Sequence, residues 1–201
     1  MDRRAYGGRD AAARAAERRA KLMDAGLRMW SDGGWAAVTV RGVCAAAGLT
    51  ERYFYESFTD REALLLAIFD ASLEDTLAAV LAAMEAAPGT PPDQLRAAIG
   101  AFVGRISDDP RHAVGLVEPI GSPALWRHRR AASTGFADLV AARAGMVTPN
   151  ADRDRLRVAA RFCVGGLTEL IICWLDDGRA SPPDEIVEHG VRLFRAALRT
   201  S

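Results

Sequence analysis

Residues 38–58 read VTVRGVCAAAGLTERYFYESF, and this stretch decides the fold. Thr39 can cap a short helix that carries apolar residues on one side. Gly48 is expected to end that helix, because glycine adopts the backbone conformation of a tight turn at little steric cost. Thr50 can cap a second short helix over residues 51–57. Two short helices joined by a glycine turn form a helix-turn-helix pattern.

Longer helices are predicted on both sides of this pattern. About residues 15–31 carry apolar side chains at three- and four-residue spacing, which predicts a helix that Gly33 and Gly34 are expected to end. Residues 60–87 carry leucine, isoleucine and phenylalanine at helical spacing and predict a long fourth helix. The segment PGTPP, residues 88–92, is expected to terminate it, since proline does not continue a helix.

Proline- and glycine-rich breaks divide the rest of the chain into further helical segments. Runs of β-branched residues are nearly absent, and alanine, the strongest helix former, is frequent. The sequence therefore predicts an all-α fold. The further helices are expected over residues 93–107, 111–120, 123–145, 151–177 and 183–199.

The chain has 201 residues, 50% of them hydrophobic, which is enough for a small domain joined to a larger one. Its formal net charge is zero. Residues 1–52 hold 10 Lys and Arg against 6 Asp and Glu, a balance of +4, which leaves 16 against 20, or −4, for residues 53–201. The basic excess therefore falls where a helix-turn-helix would meet phosphates.

Several functional classes are disfavoured by the sequence. It has no run of about 18 apolar residues, so we expect no membrane-spanning helix and a cytoplasmic protein. The motifs HExxH and GxSxG and a phosphate-binding loop are absent, so an enzyme is disfavoured. Cys163 and Cys173, ten residues apart, fall on different helix faces, and three cysteines including Cys44 argue against a disulfide framework. We predict neither a metal nor a cofactor.

Residues 20–70 resemble the N-terminal domain of the tetracycline-repressor-like (TetR) family over roughly a quarter of the chain. The resemblance implies a DNA-binding transcriptional regulator. It implies a mobile basic arm over residues 1–13, a three-helix helix-turn-helix domain over 14–60 and a helical effector-binding and dimerisation domain over 61–201. The matching features are, in order, Gly33-Gly34, VTVR at 38–41, AAAGLT at 45–50, Phe54-Tyr55, Phe58, Asp60-Arg61 and Leu64-Leu65.

The resemblance makes Thr50, Glu51, Arg52 and Tyr53 the leading turn of the recognition helix. Arg52 would bind the major-groove edge of guanine or clamp a phosphate. Glu51 would accept from a cytosine amine or hold Arg52 in place. Tyr53 would reach a thymine methyl or a phosphate. The arginines of the arm, which would enter a minor groove or stay solvated, are Arg3, Arg4 and Arg9.

Phosphates are the partners that the resemblance implies for the residues around that helix. Thr39 and Thr50 would contact phosphate in addition to capping, with plain capping as the alternative. Tyr55 matches a phosphate-contacting tyrosine. Arg61 would grip phosphate from the start of the fourth helix, with a surface ion pair as the alternative, and Arg41 is a further candidate. The neighbours expected in the core of the small domain are Phe54 and Phe58.

The resemblance also implies a homodimer that reads a palindromic operator with two recognition helices. The family dimerises through its last two helices as a four-helix bundle. Two helix-interior glycines would repay their cost if a partner helix approached closely. The alternative is that the apolar faces only complete the core of one subunit. The residues expected at the interface are Phe162, Gly165, Gly166, Ile171, Val187, Val191, Phe194 and Leu198.

A small, largely apolar effector is expected among the middle helices, where it would release the protein from the operator; repression is the expected sign. Its polar anchors would come from Arg105, His112, Glu118, His128 and Glu169, and burial of Glu169 would require a partner. The apolar lining would come from Phe102, Ile106, Leu116, Trp126, Phe136, Leu139, Phe162 and Trp174.

Two other readings stay open from the sequence. An interaction module would keep the fold without binding DNA, but the joint presence of Arg41, Tyr55 and Arg61 disfavours it. A ligand-independent regulator would have a filled core in place of a sensor cavity, which the sequence does not distinguish from a true sensor.

Overall fold

The structure, a computed structural model, describes residues 3–117 and 122–199. The described residues form α-helices and one 3-10 helix, Pro110–Ala113, and contain no strand, so the predicted all-α class is confirmed. The α-helices are α1 (Arg3–Ala37), α2 (Val40–Ala47), α3 (Glu51–Ser57), α4 (Arg61–Ala86), α5 (Pro91–Asp108), α6 (Val114–Val117), α7 (Pro123–Val147), α8 (Arg153–Asp176) and α9 (Pro183–Arg199).

The chain divides into two compact units. The first unit consists of Met1–Ala71 with Glu118–Leu125, and the second of Ser72–Val117 with Trp126–Ser201. The division falls inside α4, after Ala71, whereas the resemblance placed the functional boundary after Asp60. That functional boundary stays a prediction.

Helix α1 is longer than the sequence pattern indicated. It begins at Arg3, so most of the predicted arm is helical in the structure, and alanines at 11–13, 15 and 16 favour this extension. The regular helix breaks at Gly34, whose φ of 78° and ψ of 167° lie outside the helical region. The predicted break at the glycine pair is therefore confirmed.

The turn between α2 and α3 depends on Gly48. Its φ of 65° and ψ of 32° are left-handed, and its N–H donates to the carbonyl of Ala45 at 3.2 Å. At the other end of α2, the Thr39 hydroxyl accepts from the N–H of Gly42 at 3.1 Å, which confirms the predicted cap. The turn at Gly48 thus sets the direction of α3 relative to α2.

The predicted side-chain cap of α3 by Thr50 is wrong. The Thr50 hydroxyl makes no capping hydrogen bond. The N–H of Tyr53, which a capping hydroxyl would bind, donates instead to the backbone carbonyl of Thr50 at 3.0 Å. The exposed Thr50 hydroxyl is therefore not engaged by the helix start.

The first unit buries apolar side chains from all of its helices. Helices α1, α2 and α3 pack against one another in pairs. Helix α1 also closely approaches α4 at Gly26, where a Cβ atom would lie 2.8 Å from Cδ1 of Ile68. A side chain at this position would require the Ile68 side chain to shift. The buried residues include Leu22, Trp30, Val38, Val43, Phe54, Phe58, Leu64, Leu65 and Leu125.

The core of the second unit lies between α5, α8 and α9. Ile171, Val187, Val191 and Phe194 are buried in it, and Leu198 packs against it. All five were expected at the dimer interface. The chain's own helices cover these residues, and their place at a dimer interface stays a prediction.

Helix α8 is apolar on more than one side. By length and composition it could cross a membrane, with a mean hydropathy of 1.7 over an 18-residue window, which the sequence analysis did not expect. Only 28% of that window is buried within the chain. Its buried face, which includes Cys163 and Trp174, belongs to the core of the second unit.

Replacing Gly48 with alanine should destabilise the protein by about 1–2 kcal/mol, because an L-residue is strained in the left-handed region although no atom lies within 4 Å of the added Cβ. Gly100→Ala is the matched control: it adds the same methyl group within α5, again with no atom within 4 Å, and should stabilise the helix by about 0.5–1 kcal/mol. Urea unfolding measures both, and equal shifts for the two variants would contradict this account.

Candidate functional site

Helix α3 presents one face to solvent because its other face is anchored. Phe54 is completely buried and Phe58 is 5% exposed, which confirms their predicted place in the core. Their rings lie 5.6 Å apart, and the ring of Tyr55 meets that of Phe54 edge-on at 5.4 Å. Tyr55 itself remains 57% exposed, and Arg52 is also exposed. Two of the predicted DNA contacts therefore lie on an outward surface.

The arginines of this surface are paired with glutamates of α3. Nε of Arg41 lies 3.5 Å from Oε1 of Glu51, which brings the start of α2 beside the start of α3. Nε of Arg52 donates to Oε1 of Glu56 at 3.2 Å. Glu51 thus contacts Arg41, and not Arg52 as one of the sequence-based alternatives held.

Arg18 and Glu56 also belong to this surface, although the sequence did not single them out. Nη2 of Arg18 lies 3.7 Å from Oε2 of Glu56, and its guanidinium covers the ring of Tyr53 with its carbon 4.5 Å from the ring centre. Tyr53 is therefore half-buried and less accessible than Tyr55. The four-residue spacing of Arg52 and Glu56 was a readable signal for an ion pair, whereas the contact of Arg18 depends on tertiary packing.

Arg61 at the start of α4 is held in place by backbone and ring contacts. Its Nη1 donates to the carbonyl of Val38 at 3.3 Å, and its guanidinium lies over the ring of Trp35 at 4.8 Å. Its neighbour Asp60 accepts from the N–H of Ala63 at 2.8 Å and so caps α4. These contacts place Arg61 beside the segment that leads into α2, together with Thr39 and its exposed hydroxyl.

The first unit therefore collects donors suited to phosphates and base edges on neighbouring elements. Arginine side chains donate to phosphate oxygens or to guanine, and threonine and tyrosine hydroxyls donate to phosphate. The residues on this surface that the sequence singled out are Thr39, Arg41, Thr50, Glu51, Arg52, Tyr55 and Arg61.

The residues predicted for the effector site differ widely in burial. Phe102, Leu116, Phe136 and Leu139 are partly buried, whereas Trp126, His128, Phe162 and Glu169 are exposed. Ile106 and Trp174 are buried in the core, and the indole N–H of Trp174 donates to the carbonyl of Ser181 at 2.8 Å. Trp174 thereby fixes the end of α8, and Glu118 lies outside the described residues.

Arg105 and His112 do come together. Nη2 of Arg105 lies 3.4 Å from Nδ1 of His112, and both side chains are partly buried. Burial, followed by the positive charge of Arg105, lowers the pKa of His112, so the imidazole is neutral at pH 7 and can accept from the guanidinium. Nε of Arg105 is buried and has no hydrogen-bond partner among the described residues.

Asp109 of this segment pairs with Arg111. Asp109 accepts from Nη2 of Arg111 at 2.6 Å, and this pairing holds the pKa of Asp109 below its ordinary value. The described residues contain no group of three or more His, Cys, Asp or Glu side chains that could hold a metal ion. Among the described residues, the buried Nε–H of Arg105 is a side-chain donor that lacks a hydrogen-bond acceptor. Buried donors are normally hydrogen-bonded, so an acceptor is expected there.

Comparison with known proteins bears on both units. Residues 22–68 match the family model of bacterial regulatory proteins of the tetR family. No curated protein sequence matches the chain significantly. The matched segment spans α2 and α3 together with parts of α1 and α4, and so contains most of the surface described above.

Solved structures share the fold over most of the chain. FadR, a fatty acid degradation regulator from Bacillus halodurans, has a TM-score of 0.76 at 16% identity over 88% of this chain and 94% of its own. FadR from Bacillus subtilis, in complex with stearoyl-CoA, has a TM-score of 0.74 at 15% identity over 87% and 96%. A TetR-like transcriptional regulator from Rhodococcus sp. RHA1 has a TM-score of 0.71 at 18% identity over 92% and 97%.

At these identities the structural likeness shows the fold, and the family model identifies the segment of residues 22–68. The matched segment, the all-α architecture and the transcriptional regulators that share it agree. Residues 22–68 of the chain match the tetR family of bacterial regulatory proteins, and most of the chain has a fold that solved transcriptional regulators share.

Proposed function

We propose that this chain represses transcription by binding a palindromic DNA operator as a homodimer, and that a small, largely apolar effector releases it. The observation that carries the proposal is the exposed face of α3, where Arg52 and Tyr55 project from a helix anchored by Phe54. This face lies within the segment that matches the tetR family. Such a protein acts where the DNA is, in the cytoplasm.

The roles on this surface follow from side-chain chemistry. Arg52 reads a guanine through the paired donors of its guanidinium. Tyr55, Arg41 and Arg61 bind phosphates and set the register of α3 on the duplex. The Thr50 hydroxyl, which the helix start does not engage, is available to a phosphate as well.

Arg52→Ala should abolish discrimination between bases at one operator position. The lost discrimination should be about 1–3 kcal/mol of binding free energy, the value of a bidentate contact. Tyr55→Phe should weaken binding to all sequences about equally, because it removes a phosphate contact. The measurement is fluorescence anisotropy at two salt concentrations, with a duplex selected from a random-sequence library and an unselected duplex. If selection at low salt recovers no duplex that wild-type protein binds, the DNA-binding proposal is wrong.

The proposed dimer uses the exposed side of α8, and not the buried residues of α9. Phe162 is 75% exposed and Val158 67%, four residues apart on one face of α8. Gly165 and Gly166 are also exposed and have no atom within 4 Å of an added Cβ, so a partner helix could approach there. Leu193 of α9 is 51% exposed and extends the apolar surface. Two subunits would supply two recognition helices about one DNA turn apart.

Phe162→Asp should convert the dimer to a folded monomer, because it places a charge in the contact without touching the subunit core. Met146→Asp is the matched control, since Met146 is 73% exposed at the end of α7, and it should leave the dimer intact. Sedimentation velocity gives the mass of each variant. A wild-type monomer, or an unchanged mass for Phe162→Asp, would refute this interface.

The proposed effector site centres on Arg105 and His112. The buried Nε of Arg105 offers a donor to an acceptor group of the effector. Phe102 and Leu116, which pack against the core of the second unit, offer apolar contact nearby in the chain. The effector proposed is therefore apolar with one hydrogen-bond-accepting head. A solved structure of the same fold is in complex with stearoyl-CoA, which joins a long apolar chain to a large polar group.

Release of the protein from the operator would follow from a difference in the effector's affinity for two conformers of the protein. The effector would bind more tightly to a conformer in which the two recognition helices no longer fit one DNA turn, and it shifts the equilibrium only by that difference. Helix α4 contributes residues to both units and is one chain segment through which such a change would pass.

Stearoyl-CoA should raise the melting temperature of the wild-type protein and release it from the selected duplex, because it binds the folded state. Arg105→Gln should weaken both effects. Arg96→Gln, which removes a charge from the exposed side of the same helix, is the matched control and should leave them unchanged. Equal responses from the two variants, or no response of the wild type, would contradict this site for long-chain acyl compounds.

A further inference from the structure

The helix proposed to enter the DNA groove is itself acidic. Helix α3 contains Arg52 against Glu51 and Glu56, a net charge of −1. Carboxylates close to a phosphate backbone oppose binding, because affinity for DNA of any sequence depends on neutralising phosphates. Glu51 and Glu56 therefore lower the affinity for DNA of any sequence.

Glu56 links two arginines of different helices. Its Oε1 accepts from Nε of Arg52 at 3.2 Å, and its Oε2 lies 3.7 Å from Nη2 of Arg18. The Glu56 side chain is 43% exposed and that of Arg52 85% exposed, whereas the Arg18 side chain is 26% exposed and lies over the Tyr53 ring. Glu56 is thus fixed on one side by a partly buried cation and holds an outer cation on the other.

Glu56 binds Arg52 through Nε, and this leaves the terminal nitrogens of the guanidinium for a base. A guanidinium has five N–H donors, and the pair used for bidentate recognition of guanine can be the two terminal nitrogens. Glu56 engages Nε. Both terminal nitrogens of Arg52 therefore stay available while the side chain is held in one orientation.

We propose that Glu56 is a specificity-determining residue that orients Arg52 toward a guanine and at the same time disfavours contact between Arg52 and a phosphate. The inference rests on the proposed DNA binding. A guanine offers two acceptors to the terminal nitrogens of Arg52 and leaves its bond to Glu56 intact. A phosphate near Arg52 meets the negative charge of Glu56. Binding to unspecific DNA, which depends mostly on phosphates, is therefore weakened more than binding to the operator.

The test uses the full-length protein and the variant Glu56→Gln, whose amide oxygen still accepts from Nε of Arg52 while the charge is lost. Affinity for an unselected duplex should rise about two- to fivefold, as for removal of a surface charge interaction. Affinity for the selected duplex should rise less, so the ratio of the two affinities falls. Asp24→Asn is the control, since Asp24 forms a comparable pair with Arg28 on α1, and the ratio should stay unchanged.

A double-mutant cycle separates a role through Arg52 from a general charge effect. The effect of Glu56→Gln on the affinity ratio should disappear in the Arg52→Ala background. A ratio that Glu56→Gln does not change, or changes equally in both backgrounds, overturns the inference while DNA binding itself stands. If the wild-type protein binds neither duplex, the proposed function fails and this inference fails with it.

Discussion

The proposed interface depends on the docking of α3 against the first unit. A helix of seven residues does not persist alone in water, because nucleation is unfavourable and few hydrogen bonds follow. Phe54 supplies the anchor by complete burial, and Phe58 ends the helix beside it. Helix α1 adds a second contact, since the guanidinium of Arg19 lies 4.4 Å from the Phe58 ring centre and donates to the carbonyl of Ser57 at 3.3 Å. The outward face of α3 is ordered because its inner face and its end are fixed.

Local signals predicted the elements of this unit well. The bounds of α3 agree with the predicted range, and the left-handed Gly48 stands where the turn required it. The Thr39 hydroxyl caps α2 as predicted, whereas Thr50 occupies the N-cap position of α3 without a hydrogen bond from its hydroxyl. The difference lies in a choice between two acceptors, the hydroxyl and the carbonyl of the same residue, which the amino-acid type alone does not determine.

The faces of the long helices were harder to assign from the sequence. Helix α8 carries apolar residues around most of its circumference, so periodicity does not show which side packs within the chain. The structure buries Ile171 and leaves Phe162 outside, although both were expected at the interface. The burial of the residues expected to line the effector site was hard to assign for a related reason, since Trp126 and Trp174 are alike in type and opposite in burial. Such sites depend on tertiary contacts that no local pattern encodes.

The ion pair between Arg52 and Glu56 has a consequence for how operator preference can diverge. Replacing Arg52 alone would leave Glu56 facing the duplex with only Arg18 to compensate it. Replacing Glu56 alone would leave an arginine that any phosphate can recruit. Divergence between duplicated copies of such a regulator would therefore pass through paired substitutions, and the two positions should covary among descendants that read different operators.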